Sequence, residues 1–392
     1  MRPSAKLSSA PSRVALLIET SNAYGRGLLA GVADYVQAHG PWSIYLPEAG
    51  RGDPLSARLR GWNGDGVLMR AEDRTAARVA AATGAHVVDL SVAGRLPGVP
   101  VVHSDVRAEA TLGFEHLWER GFRNLAFCGV SDYRWATWQH EQFEALANQK
   151  GIRPVAYVAP LRSTQARGGT TDRRELVRWL KALPKPVGIF ACHDLRGQQV
   201  LDACRAAGLR IPDDVAVLGV DDDAVRCSLS DPPLSSVAPD TRRVGFVGAE
   251  MLARLMAGKR VTAGTHFVAP LGVTARRSTD AIAVADPDVA AALRFIRDRC
   301  VEPIGVIDVL RQVPLSRRAL EARFVRSVGR TPHGEIVRCR VERAVHLLKT
   351  TDLSVKAVAA RVGAATPEYL SVIFRRVLGS PPSAFRRRTA GR

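Results

Sequence analysis

Ser316, Arg317, Arg318 and Glu321 stand together in "VIDVLRQVPLSRRALEARFVRSVG", residues 306–329. Ala365, Thr366, Glu368 and Tyr369 occupy the matching stretch of "VKAVAARVGAATPEYLSVIFRRVLG", residues 355–379, which closes with Arg375 and Arg376. These residue types suit the edges of base pairs. A guanidinium donates in a fork that matches the O6 and N7 acceptors of guanine, a carboxylate accepts from the N4 amino group of cytosine, and hydroxyls serve either role. Arginines further along such a helix meet phosphates, which set register without reading sequence.

The elements that position these side chains follow from spacing. In the first stretch Val306, Val309, Leu310 and Val313 make an apolar stripe, and Pro314-Leu315 turns the chain. Ser316 then has the place of an N-cap, and Leu320 and Phe324, four apart, anchor a second helix. The second stretch repeats the plan with the stripe Val355, Val358, Ala359 and Val362, the turn at Gly363, the cap and first helical residue Thr366-Pro367, and Leu370, Ile373 and Phe374 facing inward. Two helix-turn-helix units are predicted. A long helix over 335–350, with Ile336, Val337, Val341, Ala344, Val345 and Leu348 on its apolar side, joins them. A stiff joint of this kind sets two reading helices about one turn of B-DNA apart, roughly 34 Å.

Charge points to the same partner. The chain has 392 residues and a formal net charge of +18, and residues 286–392 hold 21 Lys and Arg against 10 Asp and Glu. Over half of the excess therefore sits on the helical end, where cations displace counterions from a polyphosphate. No apolar run reaches 18 residues and the N-terminal segment lacks a signal-like apolar stretch, so neither a membrane span nor secretion is expected and the protein is placed in the cytoplasm. The six cysteines, at 128, 192, 204, 227, 300 and 339, never form a CxxC pair. Reduced, buried thiols are expected, with no metal site and no cofactor.

Upstream, residues 13–280 alternate short apolar runs with amphipathic segments. Strands are expected at 14–19, 42–46, 66–69, 87–90 and 100–103, and in the runs "NLAFCG", "VAYVAP", "VGIFACHD" and "VAVLGVDDD". Helices are expected at 27–38, 109–120, 138–149, 173–183 and 197–207, with an exposed Gly-rich loop at 163–172. Such alternation predicts parallel sheets in α/β lobes, and the length suits two. The division is a flexible tail 1–12, a two-lobed domain 13–279, a linker 280–287 and a helical domain 288–392.

Gly25, Gly27 and Ala30 spell G-x-G-x-x-A after the first strand, with Glu48 further on. The pattern leaves open a second reading, an NAD(P)-dependent α/β enzyme with an appended DNA-binding domain, although "TSNAY" lengthens the turn that should hold a pyrophosphate. No G-x-S-x-G, H-E-x-x-H or phosphate-loop motif occurs, so catalysis is not expected.

The helical end resembles the DNA-binding domain of the AraC/XylS family. "RCRVERAVHLLKTTDLSVKAVAARVG" is similar to that family's central segment and "FRRVLGSPPSAFRR" to its closing signature. Ala364 stands where the family usually has Phe, and Leu370 replaces another common Phe. The upstream region resembles the periplasmic-binding-protein-like sensor of LacI-type regulators, through "HSDVRAEATLGFEHLWERGFRNLAFCG", "CHDLRGQQVLDACRAAGLRIPDDVAVLGVDDD" and "LSSVAPDTRRVGFVGAEML" in that order. A sensor of this type ahead of an AraC-type module is the arrangement of the xylose operon regulators, whose opening "ETSNAYGRGLL" also resembles.

The resemblance implies a two-lobed α/β sensor with parallel sheets, followed by an all-α domain with two helix-turn-helix motifs. It implies a homodimer that binds a double-stranded operator and a small sugar, with a pentose favoured, and that activates transcription. By position it points to His193, Asp194, Asp221 and Asp222 at strand ends, to Tyr24 and Ser91 from the first lobe, and to Trp135 and Gln139 from the second. Asp194 also has the place of a helix cap, and Trp135 and Tyr24 that of packing residues. Gln139 stands where relatives often have Arg, and Pro239 where some sugar binders have Gln.

Overall fold

Short buried strands build two sheets of the same design. The structure, a computed structural model, describes residues 11–390 except 49, 51–58, 60, 71–73, 93–95, 162–169, 281–283 and 285. The tail expected over 1–12 lies outside these residues up to position 10, as do half of the linker and the loop as far as 169. Residues 170–172 of that loop open a helix instead.

In the first lobe β1 (Arg13–Leu17), β2 (Ser43–Tyr45), β3 (Gly66–Met69), β4 (His86–Asp89), β5 (Val101–Ser104) and β11 (Thr265–Val268) run parallel in the order β11-β5-β4-β3-β1-β2. In the second lobe β6 (Asn124–Val130), β7 (Val155–Ala159), β8 (Val187–Ala191), β9 (Val215–Val220), β10 (Ser235–Ala238) and β12 (Gly272–Thr274) run in the order β12-β10-β9-β8-β6-β7, with only β12 antiparallel. Helices cover both faces, so the central strands read as unbroken apolar runs and not as alternating ones. β8 and β9 are buried along their whole length.

Helices α1 (Ala23–His39), α2 (Arg74–Ala82) and α8 (Thr241–Met256) serve the first lobe; α3 (Val106–Glu119), α4 (Arg134–Gln149), α5 (Thr170–Ala182), α6 (Asp194–Ala207) and α7 (Ala224–Leu229) serve the second. The chain crosses between lobes after β5, after β10 and after β11. Backbone bonds from Asp105 N to Val268 O (2.8 Å) and from Leu271 N to Ala238 O (2.8 Å) bind these crossings side by side. They form the hinge.

Caps account for the helix starts that periodicity sets too late. Asn22 accepts from Gly25 N and begins α1 at 23, four residues before the expected 27. Asp105 accepts from Arg107 N and Ala108 N and begins α3 at 106. Polar residues at an N-cap satisfy orphan donors of the first turn, and that energy does not show in an apolar period.

The helical domain follows as α9 (Pro287–Arg299), α10 (Val306–Leu310), α11 (Arg317–Val328), α12 (Pro332–Thr350), α13 (Val355–Arg361), α14 (Pro367–Leu378) and α15 (Pro382–Ala390). Asp286 caps α9, which therefore takes Pro287 out of the expected linker. Thr331 caps α12 with Pro332 at its first position, three residues before the expected start. Two small cores result. Ile296, Val309, Leu320, Phe324, Ile336 and Cys339 belong to one, and Val341, Leu348, Val358, Leu370, Ile373 and Phe374 to the other. α12 thus contributes to both and is the expected joint.

Candidate effector cleft and nucleic-acid interface

A cleft opens between the lobes, at the carboxyl ends of their strands, where open α/β sheets bind ligands. It holds about 330 Å³ of free space, the open solvent at its mouth included. Each wall residue follows from a strand end. Tyr24 stands in the first turn of α1 after β1, Arg70 follows β3, and His103 and Ser104 end β5. Glu109 is one turn into α3, Trp135 and Gln139 lie on α4, and Asp221 follows β9.

Electrostatics in this cleft are set by burial. His103 Nδ1 lies 2.8 Å from the Ser104 carbonyl, so it must carry the proton and donate. Burial pushes the ring down to about 3, which keeps it neutral and leaves Nε2 as an acceptor toward Tyr24 Oη. Tyr24 Oη also meets Ser104 Oγ at 3.1 Å, and burial raises its phenol. Arg70 lies 4.7 Å over the Tyr24 ring and pairs with Glu19 at 3.8 Å. Gln139 Nε2 donates to Glu109 Oε2 at 3.1 Å. Burial pushes Glu109 up to about 7, against the pull of the Ser104 and Gln139 hydrogen bonds. Among the described residues, the buried wall atoms Trp135 Nε1, Glu109 Oε1 and Gln139 Oε1 have no hydrogen-bond partner. A buried polar atom left unpaired costs about 1–3 kcal/mol, and a hydroxyl-bearing ligand recovers that cost.

The turn that presents Asp221 is strained. Asp221 has φ +109° and Asp222 has φ +47°, both in the left-handed region that favours glycine. Each such residue costs on the order of 1–3 kcal/mol and persists only when its surroundings over-determine it. Here Asp221 N donates to Val237 O (3.1 Å), Asp222 N to Ser236 Oγ (3.0 Å) and Asp223 N to Asp194 Oδ2 (2.8 Å).

Of the eight sensor positions expected from sequence, Tyr24, Trp135, Gln139 and Asp221 line the cleft. The other four lie off its walls. Asp194 is buried behind Asp221, accepting from Ser236 Oγ at 2.6 Å as well as from Asp223, and burial raises its carboxyl. His193, and not Asp194, caps α6 by accepting from Arg196 N at 2.9 Å, while its ring sits 5.9 Å from that of Trp135. Asp222 is held by Arg276 and Thr274, each at 2.7 Å. Ser91 is buried beyond β4, its amide bonded to Asp89 Oδ1. Sequence reasoning missed Arg70, His103, Ser104 and Glu109. Their signal was faint: three polar residues at the ends of "GVLM" and "VVHS", and a glutamate inside an apolar helix face.

The G-x-G-x-x-A glycines serve packing. A Cβ on Gly25 would lie 2.0 Å from the Glu19 carbonyl and one on Gly27 1.9 Å from Thr241 Oγ1 of α8, while one on Gly31, just past the pattern, would lie 1.9 Å from the Arg242 carbonyl. α1 and α8 meet backbone to backbone there, and the pattern cradles a helix in place of a pyrophosphate.

In the helical domain the two expected reading helices lie at the surface. Ser316 Oγ accepts from Ala319 N and Thr366 Oγ1 from Tyr369 N, as N-caps of α11 and α14. Arg317, Arg318, Ala365, Glu368, Arg375 and Arg376 are exposed, and Glu321 and Tyr369 are half-buried. Arg317 Nε donates to Glu321 at 3.1 Å, whereas the Tyr369 ring packs on the second core. Among the apolar residues that the same helices expose are Val325 and Val372, which sequence reasoning did not single out. Apolar side chains on a reading helix suit the methyl group of thymine. Among the described residues no cluster of His, Cys, Asp and Glu is arranged to hold a metal, and no helix is long and apolar enough to cross a membrane.

Comparison with known proteins adds to this geometry. A periplasmic binding protein-like domain matches residues 114–279 and a helix-turn-helix domain matches 309–388. The chain is 31% identical to the xylose operon regulatory protein of Escherichia coli over 382 residues, 95% of this chain and 96% of the relative. It is 28% identical to the xylose operon regulatory protein of Haemophilus influenzae, over 95% of this chain and 98% of that one. Among solved structures it matches that of the xylose-binding transcription activator xylR at 30% identity, covering 97% of this chain and 98% of the other with a TM-score of 0.63.

Proposed function

The chain belongs to the family of xylose operon regulatory proteins, and from that premise we propose that it is a sugar-responsive activator of transcription whose effector is an uncharged pentose of the xylose type. The observation that carries the effector half is the convergence of three buried, unpartnered polar atoms, on Glu109, Trp135 and Gln139, upon one cleft beside Asp221. Carboxylates and an amide accept from sugar hydroxyls, and the indole offers both a donor and a ring face. The same walls disfavour sugar acids and sugar phosphates. Among the described residues the wall cation is Arg70, which already faces Glu19, and the acidic wall groups are Glu109 and Asp221. An anion placed there meets like charge in a desolvated site.

In this reading Tyr24, Arg70, Ser104, Glu109, Trp135, Gln139 and Asp221 grip the sugar, with His193 behind Trp135 and Asp194 and Asp222 bracing the strained turn. Ser316, Arg317, Arg318 and Glu321 on α11, and Ala365, Thr366, Glu368 and Tyr369 on α14, face base edges. Arg375 and Arg376 meet phosphate. The protein works as a cytoplasmic homodimer on a double-stranded operator, as a two-lobed sensor over 13–279 joined to a DNA module over 288–392. The sugar acts by binding one lobe arrangement more tightly than the other. Titration calorimetry tests the effector half. D-xylose gives heat with the intact protein, D-xylonate and D-xylose 5-phosphate give none, and Asp221→Ala abolishes the D-xylose signal. Equal heats from the neutral and anionic sugars, or an Asp221→Ala protein with undiminished affinity, contradict it.

A further inference from the structure

α3 touches both ends of the proposed signal. Its first turn carries Val106 and Glu109 into the cleft. Its last turn, about 15–20 Å away at 1.5 Å per residue, ends in a set of contacts that reach beyond the sensor. Glu119 accepts on its backbone carbonyl from Arg330 (3.1 Å), and its carboxylate faces Arg330 at 3.9 Å and Arg338 at 3.7 Å. Arg330 directly follows Gly329, the residue that ends the first reading helix α11. Arg338 lies on the joint helix α12, where Glu335, fully buried, takes its guanidinium at 2.7 and 2.9 Å. One sensor carboxylate therefore meets the base of a reading helix and the helix that links both reading units.

The neighbouring residues fasten the root of the linker to the same helix end. Arg120 Nε donates to the Thr279 carbonyl (3.1 Å) and its Nη1 donates to His116 Nδ1 (3.0 Å). His116 Nε2 then donates to Thr279 Oγ1 (2.8 Å), which meets Ser235 Oγ at 2.7 Å. These bonds are buried, and Thr279 closes the last sensor turn. Covalent continuity alone, through the segment after Thr279, would not fix the posture of the DNA module. The Glu119 contacts, beside a bond from Arg123 to the Ser327 carbonyl at 3.4 Å, attach the module to this end of the sensor, and more than one point holds an orientation where one does not.

We propose that Glu119 is a positioning residue that clasps the DNA module to α3, so that rearrangement of the lobes by an effector turns the first reading helix with the second lobe. This rests on the sugar and DNA reading given above. Each ion pair is partly exposed and contributes little to stability. Its effect falls on coupling, the factor by which sugar changes DNA affinity, and that factor is a free energy shared by the two sites.

The test uses the full chain and a duplex selected by it from a random-sequence library. With the wild-type protein, saturating D-xylose changes affinity for that duplex at least fivefold. With Glu119→Gln the factor falls below twofold, while calorimetry gives D-xylose affinity within twofold of wild type and backbone amides in 330–340 exchange hydrogen faster. Arg330→Gln has the same effect, and the double variant loses no more than either single one, as residues acting through each other require. A Glu119→Gln protein with wild-type sugar affinity and a wild-type coupling factor overturns the clasp. A wild-type protein that binds none of the common sugars, or selects no sequence, overturns the underlying reading instead, and calorimetry on the wild type alone tells the two failures apart.

Discussion

Glu109 shows how burial gives a single side chain a measurable role. Its carboxyl is raised to about 7, with burial the main cause. In an unfolded chain an ordinary glutamate ionises near 4.5. The folded state therefore holds the proton more tightly, and Glu109 costs stability progressively as pH rises from about 4.5 through 7. Glu109→Gln removes that cost. In urea unfolding of the sugar-free protein the variant gains up to about 3 kcal/mol over wild type at pH 8 and much less at pH 5. Parallel pH profiles for the two proteins would contradict the assignment. Glu335 behaves oppositely. Burial pushes it up, but Arg338 and Arg330 overcome that and hold it at about 2. Its contribution is present above about 4.5 and is lost as pH falls toward 2, so the DNA module is acid-labile where the cleft is not. Asp221 differs again, since its value to the site lies in a strained backbone that aims it, which no residue type announces.

At the scale of elements, the reading helices make the clearest predictions. Arg318 is exposed on α11, which Leu320 and Phe324 seat on the core. Arg318→Ala weakens binding to a selected duplex by about 1–3 kcal/mol if the guanidinium meets guanine, measured by fluorescence anisotropy. An equal loss on unrelated DNA would make it a phosphate contact. Gly363 joins α13 to α14 at φ +71°, and a Cβ there would lie 2.5 Å from the Val301 carbonyl. Gly363→Ala therefore destabilises the helical domain by more than about 1 kcal/mol, seen as an earlier melting transition by circular dichroism. An unchanged transition would mean that the neighbouring backbone yields. Much of this architecture was legible in the residues. Apolar runs such as "VAVLGV" marked central strands because both of their faces are buried, and the two capped helices at Ser316 and Thr366 stood out because cap and stripe agree. What stayed illegible has physical reasons. Caps at Asn22, Asp105 and Thr331 extend helices past their apolar period. β10 to β12 are short, and β12 is nowhere fully buried. Four wall residues, Arg70, His103, Ser104 and Glu109, are brought to the others only by the fold of strands distant in sequence. Asp194 and Asp222 have the right residue type and the right strand end, yet their carboxylates brace the turn and leave Asp221 to face the cleft.

Across the whole molecule, charge is divided by task. The cleft presents the carboxyls of Glu109 and Asp221, neutral donors and an arginine, Arg70, that faces Glu19, whereas residues 286–392 carry 11 of the 18 excess positive charges. A neutral effector can enter such a sensor without competing for the cationic face that meets DNA, and the response then depends on lobe movement and not on charge. One chain thus joins sugar occupancy to sequence-specific binding. The most direct test is anisotropy of the full chain on its library-selected duplex, titrated with and without D-xylose, at fixed salt because phosphate contacts make affinity salt-dependent. Tight binding to the selected duplex over a scrambled one is expected, with at least a fivefold shift with D-xylose that D-xylonate does not give. Identical curves with and without the sugar, from a protein that calorimetry shows to be loaded with it, would mean that sugar occupancy does not reach the DNA module.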